Sequence, residues 1–222
     1  MSAPSERAAH AEHAAHSAHV IEVRGEVSSA KLGLWLFLLT ELILFGGLFI
    51  LYASYRFAHA AVFAASSREL SLLFGTENTL ILITSSLTVA LAVLSLEKGG
   101  KRATIALLSV TIALGLAFLV NKGLEWAEEI GRGLYPNSPI LAGLDRGEVL
   151  FFGLYYSMTG LHALHIVIGL GVLATALASV ARGRVRQGRT AFLENAGLYW
   201  HLVDVIWIFL FPLFYLISGG SV

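Results

Sequence analysis

Three sets of polar residues sit inside long apolar runs, where water does not reach. Glu41 lies in the order Thr40-Glu41-Leu42-Ile43-Leu44-Phe45-Gly46-Gly47, well inside a run that begins at Leu32. His162 and His165 follow Thr159 in a second run. His201 and Asp204 stand between Trp200 and Trp207 in a third. A carboxyl group in hydrocarbon costs several kcal/mol unless it is protonated, paired or solvated. A spacing of three places two residues on one helix face. His162 and His165 therefore share a face with Thr159, and His201 can pair with Asp204.

Each set has a plain and a sharp reading. Glu41 is either a structural latch to a neighbouring helix, with Gly46 and Gly47 allowing close approach, or an acid that handles protons. Two histidines three apart could bind a metal, but a full site needs three or four ligands and no intramembrane set is evident. His162 and His165 are therefore read as structural or lipid-contacting groups. Trp200 and Trp207, seven apart, lie on one stripe and mark a packing face toward protein or ordered lipid.

The elements that must position these residues are transmembrane helices. Hydrophobic residues make up 56% of the 222-residue chain and charged residues 14%, well below the roughly one-quarter charged residues of a soluble domain. A span needs about 20 apolar residues. Five stretches qualify: Leu32–Tyr55, Thr79–Leu96, Ala103–Asn121, Val149–Ala181 and Asn195–Ser218. They are continuous, rich in Leu and Ala, and lack period-two alternation, so they predict helices and not a barrel. The second, at 18 residues, is expected to stand upright and the fourth, at 33, to tilt or project. The predicted fold is all-α, a polytopic bundle of five membrane helices over 31–222 behind a polar tail, 1–30.

Charge sets the orientation. With five spans, one side carries ten basic residues, including Lys98, Lys101, Arg102, Arg182, Arg184, Arg186 and Arg189 in two short loops. The other side carries five: Arg56, Arg68, Lys122, Arg132 and Arg146. This bias predicts N-in, C-out. The formal net charge is zero, which makes nucleic acid an unsuitable partner. There is no cysteine, which excludes disulfides, thiolate-bound metals and covalently attached c-type haem.

Between the spans, His10, His13, His16 and His19 recur every three residues in the tail; this spacing drifts around a helix and makes no tight site. Arg56–Asn78 is expected to hold a short interfacial helix. Lys122-Gly-Leu-Glu-Trp-Ala-Glu-Glu129 favours helix and is expected to extend the third span beyond the membrane, with Pro136 and Pro139 breaking it.

Five segments together resemble subunit III of the haem–copper cytochrome oxidases. They are Thr-Glu-Leu-Ile-Leu-Phe-Gly-Gly-Leu-Phe at 40–49, Asn-Thr-Leu-Ile-Leu-Ile-Thr-Ser-Ser at 78–86, Leu-Glu-Trp-Ala-Glu at 124–128, Thr-Gly-Leu-His-Ala-Leu-His at 159–165, and Glu-Asn-Ala-Gly-Leu-Tyr-Trp-His-Leu-Val-Asp-Val-Ile-Trp at 194–207. They cover 31–218 in the family's order. The resemblance implies that Glu41 corresponds to the family's carbodiimide-reactive intramembrane carboxylate. It also implies a short five-helix form, without the first two helices of longer members. The lipid cleft of those members would then be completed by another subunit or open to bulk lipid.

The residues expected to act are Glu41, Asp204 and Glu125 as proton-handling or structural intramembrane acids. His162, His165, Trp200, His201 and Trp207 are expected to serve lipid contact or packing. No catalytic residue and no metal ligand is assigned. The resemblance implies an accessory, non-redox subunit of a proton-pumping terminal oxidase in a bacterial plasma membrane. Haem and copper would lie in the partner catalytic subunits I and II, with a small subunit IV a further candidate partner and phospholipid bound. Rival readings are an accessory subunit of a nitric oxide reductase and a proton-coupled transporter using Glu41 and Asp204. The transporter lacks the expected broken helices and inverted repeats.

One expectation is direct to test. The chain purified free of partners should contain no stoichiometric iron, copper or zinc by elemental analysis. Stoichiometric metal lost in His162→Ala would show that the histidines are ligands.

Overall fold

The computed structural model describes residues 32–217. The histidine-rich tail and the expected end of the last span at Ser218 lie outside the described residues. Within them the helices are α1 (Leu32–Ala58), α2 (Ala60–Ser67), α3 (Leu72–Glu97), α4 (Lys101–Gly131), α5 (Pro139–Ala142), α6 (Arg146–Ala181) and α7 (Ala191–Tyr215). Five of these, α1, α3, α4, α6 and α7, are long and apolar enough to cross a membrane. The chain divides into two compact units, Met1–Ile43 and Leu44–Val222; the bundle described below belongs to the second.

In that unit α3 packs on α4, α4 on α6, α6 on α7, and α7 back on α3. The four helices thus close an antiparallel ring. Its direction is read from the pairs across α3 and α7: Ser85 meets Trp200, Thr79 meets Trp207, and Gly75 meets Tyr215. Trp200 is the central wedge. Its indole is fully buried and lies against Gly115 of α4 and Gly169 of α6, where an added Cβ would stand 2.8 and 2.9 Å from the ring. Its Nε1 donates to Ser85 Oγ of α3 at 3.0 Å. One side chain of α7 therefore touches all three of the other ring helices.

The length of each helix follows from its ends. The expected 18-residue second span is in fact part of a helix of 26 residues, because α3 starts at Leu72. The polar residues Thr76, Glu77 and Asn78 ended the hydropathy window but not the helix; Thr76 Oγ1 donates back to Leu72 O at 2.8 Å within it. The second span is therefore not unusually short. Helix α4 does run past the apolar window, as expected, but the prolines do not end it. Gly133 does, at φ 78°. The Leu134 and Gly133 amides donate to the carbonyls of Glu129 and Ile130, both at 3.0 Å, a closure that needs a left-handed residue at the turn. Pro139 opens α5 at its first turn behind the Ser138 cap, the position where a missing N–H costs nothing. The predicted short helix of loop 1–2 is α2.

The last turn of α7 is buried at Phe214 and Tyr215, so carbonyls there need donors. Tyr52 OH of α1 donates to Leu213 O, and Ser67 Oγ of α2 to Phe214 O at 2.7 Å. Around these bonds Tyr52, Phe63, Phe151, Tyr155 and Phe214 meet edge to face with centroids 5.0 to 5.7 Å apart, the favoured aromatic geometry. Gly46 and Gly47 do not mediate close helix approach among the described residues: nothing lies within 4 Å of a Cβ placed at either.

The Trp200 wedge is testable against a control in the same helix. Gly169→Ala should lower stability by about 1–3 kcal/mol through overpacking. Gly171→Ala, where nothing lies within 4 Å of the new Cβ, should not. The thermal midpoint of the purified complex reads both; equal midpoints would remove Trp200 from its central role.

Candidate functional site

The densest polar site lies where α4, α6 and α7 meet, and it is built around Lys122. The residue stands just after the apolar window of α4, where a lysine ordinarily extends to the membrane surface. Here it turns inward and is 2% exposed. Its Nζ donates to Glu125 Oε2 at 2.9 Å, to Tyr155 OH at 2.9 Å and to Tyr215 OH at 2.7 Å. All three donors of the ammonium are thereby used. Tyr215 OH donates to Glu125 Oε1 at 2.7 Å, and Tyr155 OH to Glu129 Oε1 at 3.0 Å. The rings of Tyr155, Trp207 and Tyr215 also face the ammonium, with centroids at 4.6, 5.4 and 5.4 Å.

The spacing of 122, 125 and 129 explains the arrangement locally: intervals of three and four keep all three side chains on one face of α4. Glu125 and Glu129 are each 1% exposed. With all three charged groups ionised, the cluster carries one net negative charge. It is neutral with one added proton. The second oxygen of Glu129 and the hydroxyl of Tyr156 beside it have no bond of good geometry. The arrangement ties three helices together and can hold one proton among connected hydrogen-bonding groups.

Of the residues expected to act, Glu125 lies at the heart of this cluster. Lys122, Glu129, Tyr155 and Tyr215 were missed. The charge pattern counts Lys122 with an outer loop, whereas it is an interior residue of α4. The signal that could have found it is the i, i+3, i+7 pattern of charge at 122, 125 and 129.

The other expected residues lie elsewhere in the bundle. His162 is fully buried, between Phe118 at 5.5 Å and Trp207 at 5.2 Å. Neither ring nitrogen has a hydrogen-bond partner among the described residues; the ring is held by aromatic packing. His165 lies on the same buried face; its Nδ1 is 2.8 Å from Leu161 O, and Phe45 of α1 meets its ring edge-on at 5.5 Å. Trp207 is fully buried and donates from Nε1 to Thr79 Oγ1 at 3.1 Å. Both tryptophans thus face the bundle, with their N–H groups matched to hydroxyls of α3.

His201 does not pair with Asp204. Its Nδ1 bonds Ser86 Oγ of α3 at 2.7 Å, because the α3–α7 contact offers a hydroxyl at the right level. Asp204 is 4% exposed, and neither carboxyl oxygen has a hydrogen-bond partner among the described residues. Glu41 is half-buried and belongs to the first compact unit, and its side chain is not without a partner. Among the described residues no three His, Asp or Glu side chains converge as a metal site.

The cluster yields a mutational prediction. Lys122→Met leaves two carboxylates buried without their cation and should destabilise the bundle by about 3–5 kcal/mol. Lys122→Met combined with Glu125→Leu should recover part of that loss. Thermal unfolding of the four forms gives the coupling; simple additivity would mean that the ion pair is not the tie.

Known proteins resemble the chain along most of its length. The family profile of cytochrome c oxidase subunit III matches residues 6–219. Cytochrome c oxidase subunit 3 of Thermostichus vulcanus is 35% identical over 188 residues, 84% of this chain and 87% of that protein. Cytochrome bo(3) ubiquinol oxidase subunit 3 of Pseudomonas aeruginosa is 32% identical over 189 residues, 84% of each. Heme-copper oxidase subunit I+III of Aeropyrum pernix is 34% identical over 193 residues, 83% of this chain but 22% of that longer protein. With five helices of spanning length and this match, the chain is a multi-pass membrane protein and belongs to the cytochrome c oxidase subunit III family.

Proposed function

We propose that the chain is the accessory, non-redox subunit of a proton-pumping terminal haem–copper oxidase in aerobic respiration. It packs on the catalytic subunit I, binds phospholipid, and supports proton uptake and durability during turnover. The observation that carries this reading is the relative in which subunits I and III are one polypeptide: a fused pair must be able to work side by side. Subunit II and a small subunit IV complete the proposed assembly.

The chemistry of the chain supports an accessory role. It has no cysteine, and the described histidines at bilayer depth are taken up in packing and hydrogen bonds or separated from further ligands. Haem and copper would therefore sit in the partners. What the chain supplies is a stiff bundle with apolar outer faces, such as Leu80, Leu87, Leu116 and Val167, all exposed. Such faces suit lipid tails and neighbouring helices alike. Relatives named for cytochrome c and for ubiquinol both match, as expected of a subunit that does not itself receive electrons. The proposed site is a bacterial plasma membrane with the N-terminus inside. Taking Lys122 out of the loop tally sharpens the basic bias from ten against five to ten against four.

Removal of the subunit tests the reading. Intact and depleted enzyme, compared in vesicles, should show the same haem spectrum and similar initial oxygen reduction. Proton release should fall, or activity should decay faster over many turnovers. Immediate loss of the haem spectrum would place the chain at the redox site. No change in release or decay would leave no role in turnover.

A further inference from the structure

The outer side of the α3–α7 contact carries a long furrow. It consists of two confluent cavities of about 470 Å³ each, which share Ala90 and His201. One reaches Thr79 and Trp207, and the other reaches Glu97 and Glu194. Along α3, Thr79 to Glu97 spans roughly 27 Å at the helical rise, close to the roughly 30 Å thickness of the hydrocarbon. The rim is apolar and exposed, with Ile83 and Leu87 on α3 and Val205 and Ile208 on α7.

Asp204 lines this furrow toward its Thr79–Trp207 end. It lies ten residues beyond Glu194 along α7, roughly 15 Å at the helical rise. The Ser86 hydroxyl adjoins the carboxyl but lies outside bonding geometry, being taken up by His201 Nδ1 at 2.7 Å. Neither Asp204 oxygen has a hydrogen-bond partner among the described residues. Charged or neutral, a carboxyl group in hydrocarbon needs a polar partner. Lipid tails have no such group, and phospholipid headgroups remain at the surface. A furrow that follows the helices for most of a membrane's thickness, with an unmatched carboxyl roughly 15 Å along α7 from Glu194, fits a helix that brings the missing group.

We propose that the α3–α7 furrow receives a membrane-spanning helix of another subunit, and that this helix presents a hydrogen-bonding side chain to Asp204. The exposed rim supplies packing area, while Asp204 fixes the depth and rotation of the incoming helix. Interhelical hydrogen bonds within membranes contribute only modestly to association, so the carboxyl acts mainly on register and selectivity. The inference rests on the chain working within a complex, but not on which subunit supplies the helix.

The test is photo-crosslinking in native membranes that hold the full complex. A benzophenone amino acid is placed at Leu87 or at Val205, on opposite rims, with Leu116 of α4 as an outside position. Both rim positions should give adducts to one and the same transmembrane peptide of another subunit. Sequencing should place a polar side chain within one helical turn of the attached residue. Position 116 should not label that peptide. After mild detergent extraction the rim adducts should fall several-fold in Asp204→Leu and persist in Asp204→Asn. Adducts to phospholipid alone, to a second copy of this chain, or to a helix without a polar residue at that level would overturn the proposal. These mapping outcomes use the wild-type carboxyl, so they decide the matter even if Asp204→Leu fails to accumulate. Subunit depletion separates this result from the proposed function: a mapped helix with no effect of depletion on turnover would keep the docking site and remove the functional reading.

Discussion

Water is absent from the middle of a bilayer, so each polar side chain there depends on a partner supplied by protein. Lys122 shows how far the bundle is organised around this constraint. Its ammonium is surrounded by one carboxylate and two tyrosine hydroxyls, drawn from α4, α6 and α7. The tyrosines then pass hydrogen bonds on to Glu125 and Glu129. Moving α6 or α7 away from α4 breaks two of these bonds and leaves buried donors and acceptors unmet, which is costly in low dielectric. The cluster therefore fixes how α4, α6 and α7 meet at that end of the bundle.

The same constraint operates in a milder form along α3. Its hydroxyls at Thr79, Ser85 and Ser86 meet the N–H groups of Trp207 and Trp200 and the imidazole of His201. These bonds set the level at which α7 slides along α3. Glycines at 115 and 169 then admit the Trp200 ring between α4 and α6. Packing and polar matching thus specify one arrangement together, since a shifted Trp200 would lose both its hydroxyl and its slot. Asp204, which also lies on α7, is among the groups that this internal matching leaves out within the described residues. Its place in the lining gives the outer furrow its chemical character.

The proposed accessory role asks for influence on an oxidase without a redox centre in this chain. The chain offers stiff apolar faces, a buried cluster able to hold one proton, and a furrow with a polar anchor. Each is a property of the assembled bundle and acts through contact with neighbours or lipid. The apolar faces alone would suit many partners; a carboxyl in the furrow lining narrows the choice to those with a matching group.

The residues themselves determined the class and the spans. Long continuous apolar runs have only one stable form in hydrocarbon when they lack alternation, because a helix satisfies its own backbone. The five motifs also identified the family resemblance. Other features were local but easily misread: Gly133 closes α4 before either proline, and Thr76 to Asn78 continue α3 because their polar side chains do not stop a helix. The partners were decided by tertiary structure alone. Lys122, Glu125 and Glu129 share a face by spacing, yet that face turns inward only because Tyr155 and Tyr215, 33 and 93 residues from Lys122, arrive to meet it. His201 and Asp204 have the spacing of a pair, yet Ser86, 115 residues away, takes the imidazole and leaves the carboxyl. Helical spacing sets which side chains are neighbours on one helix, but hydrogen bonding follows whichever polar group another helix brings closer.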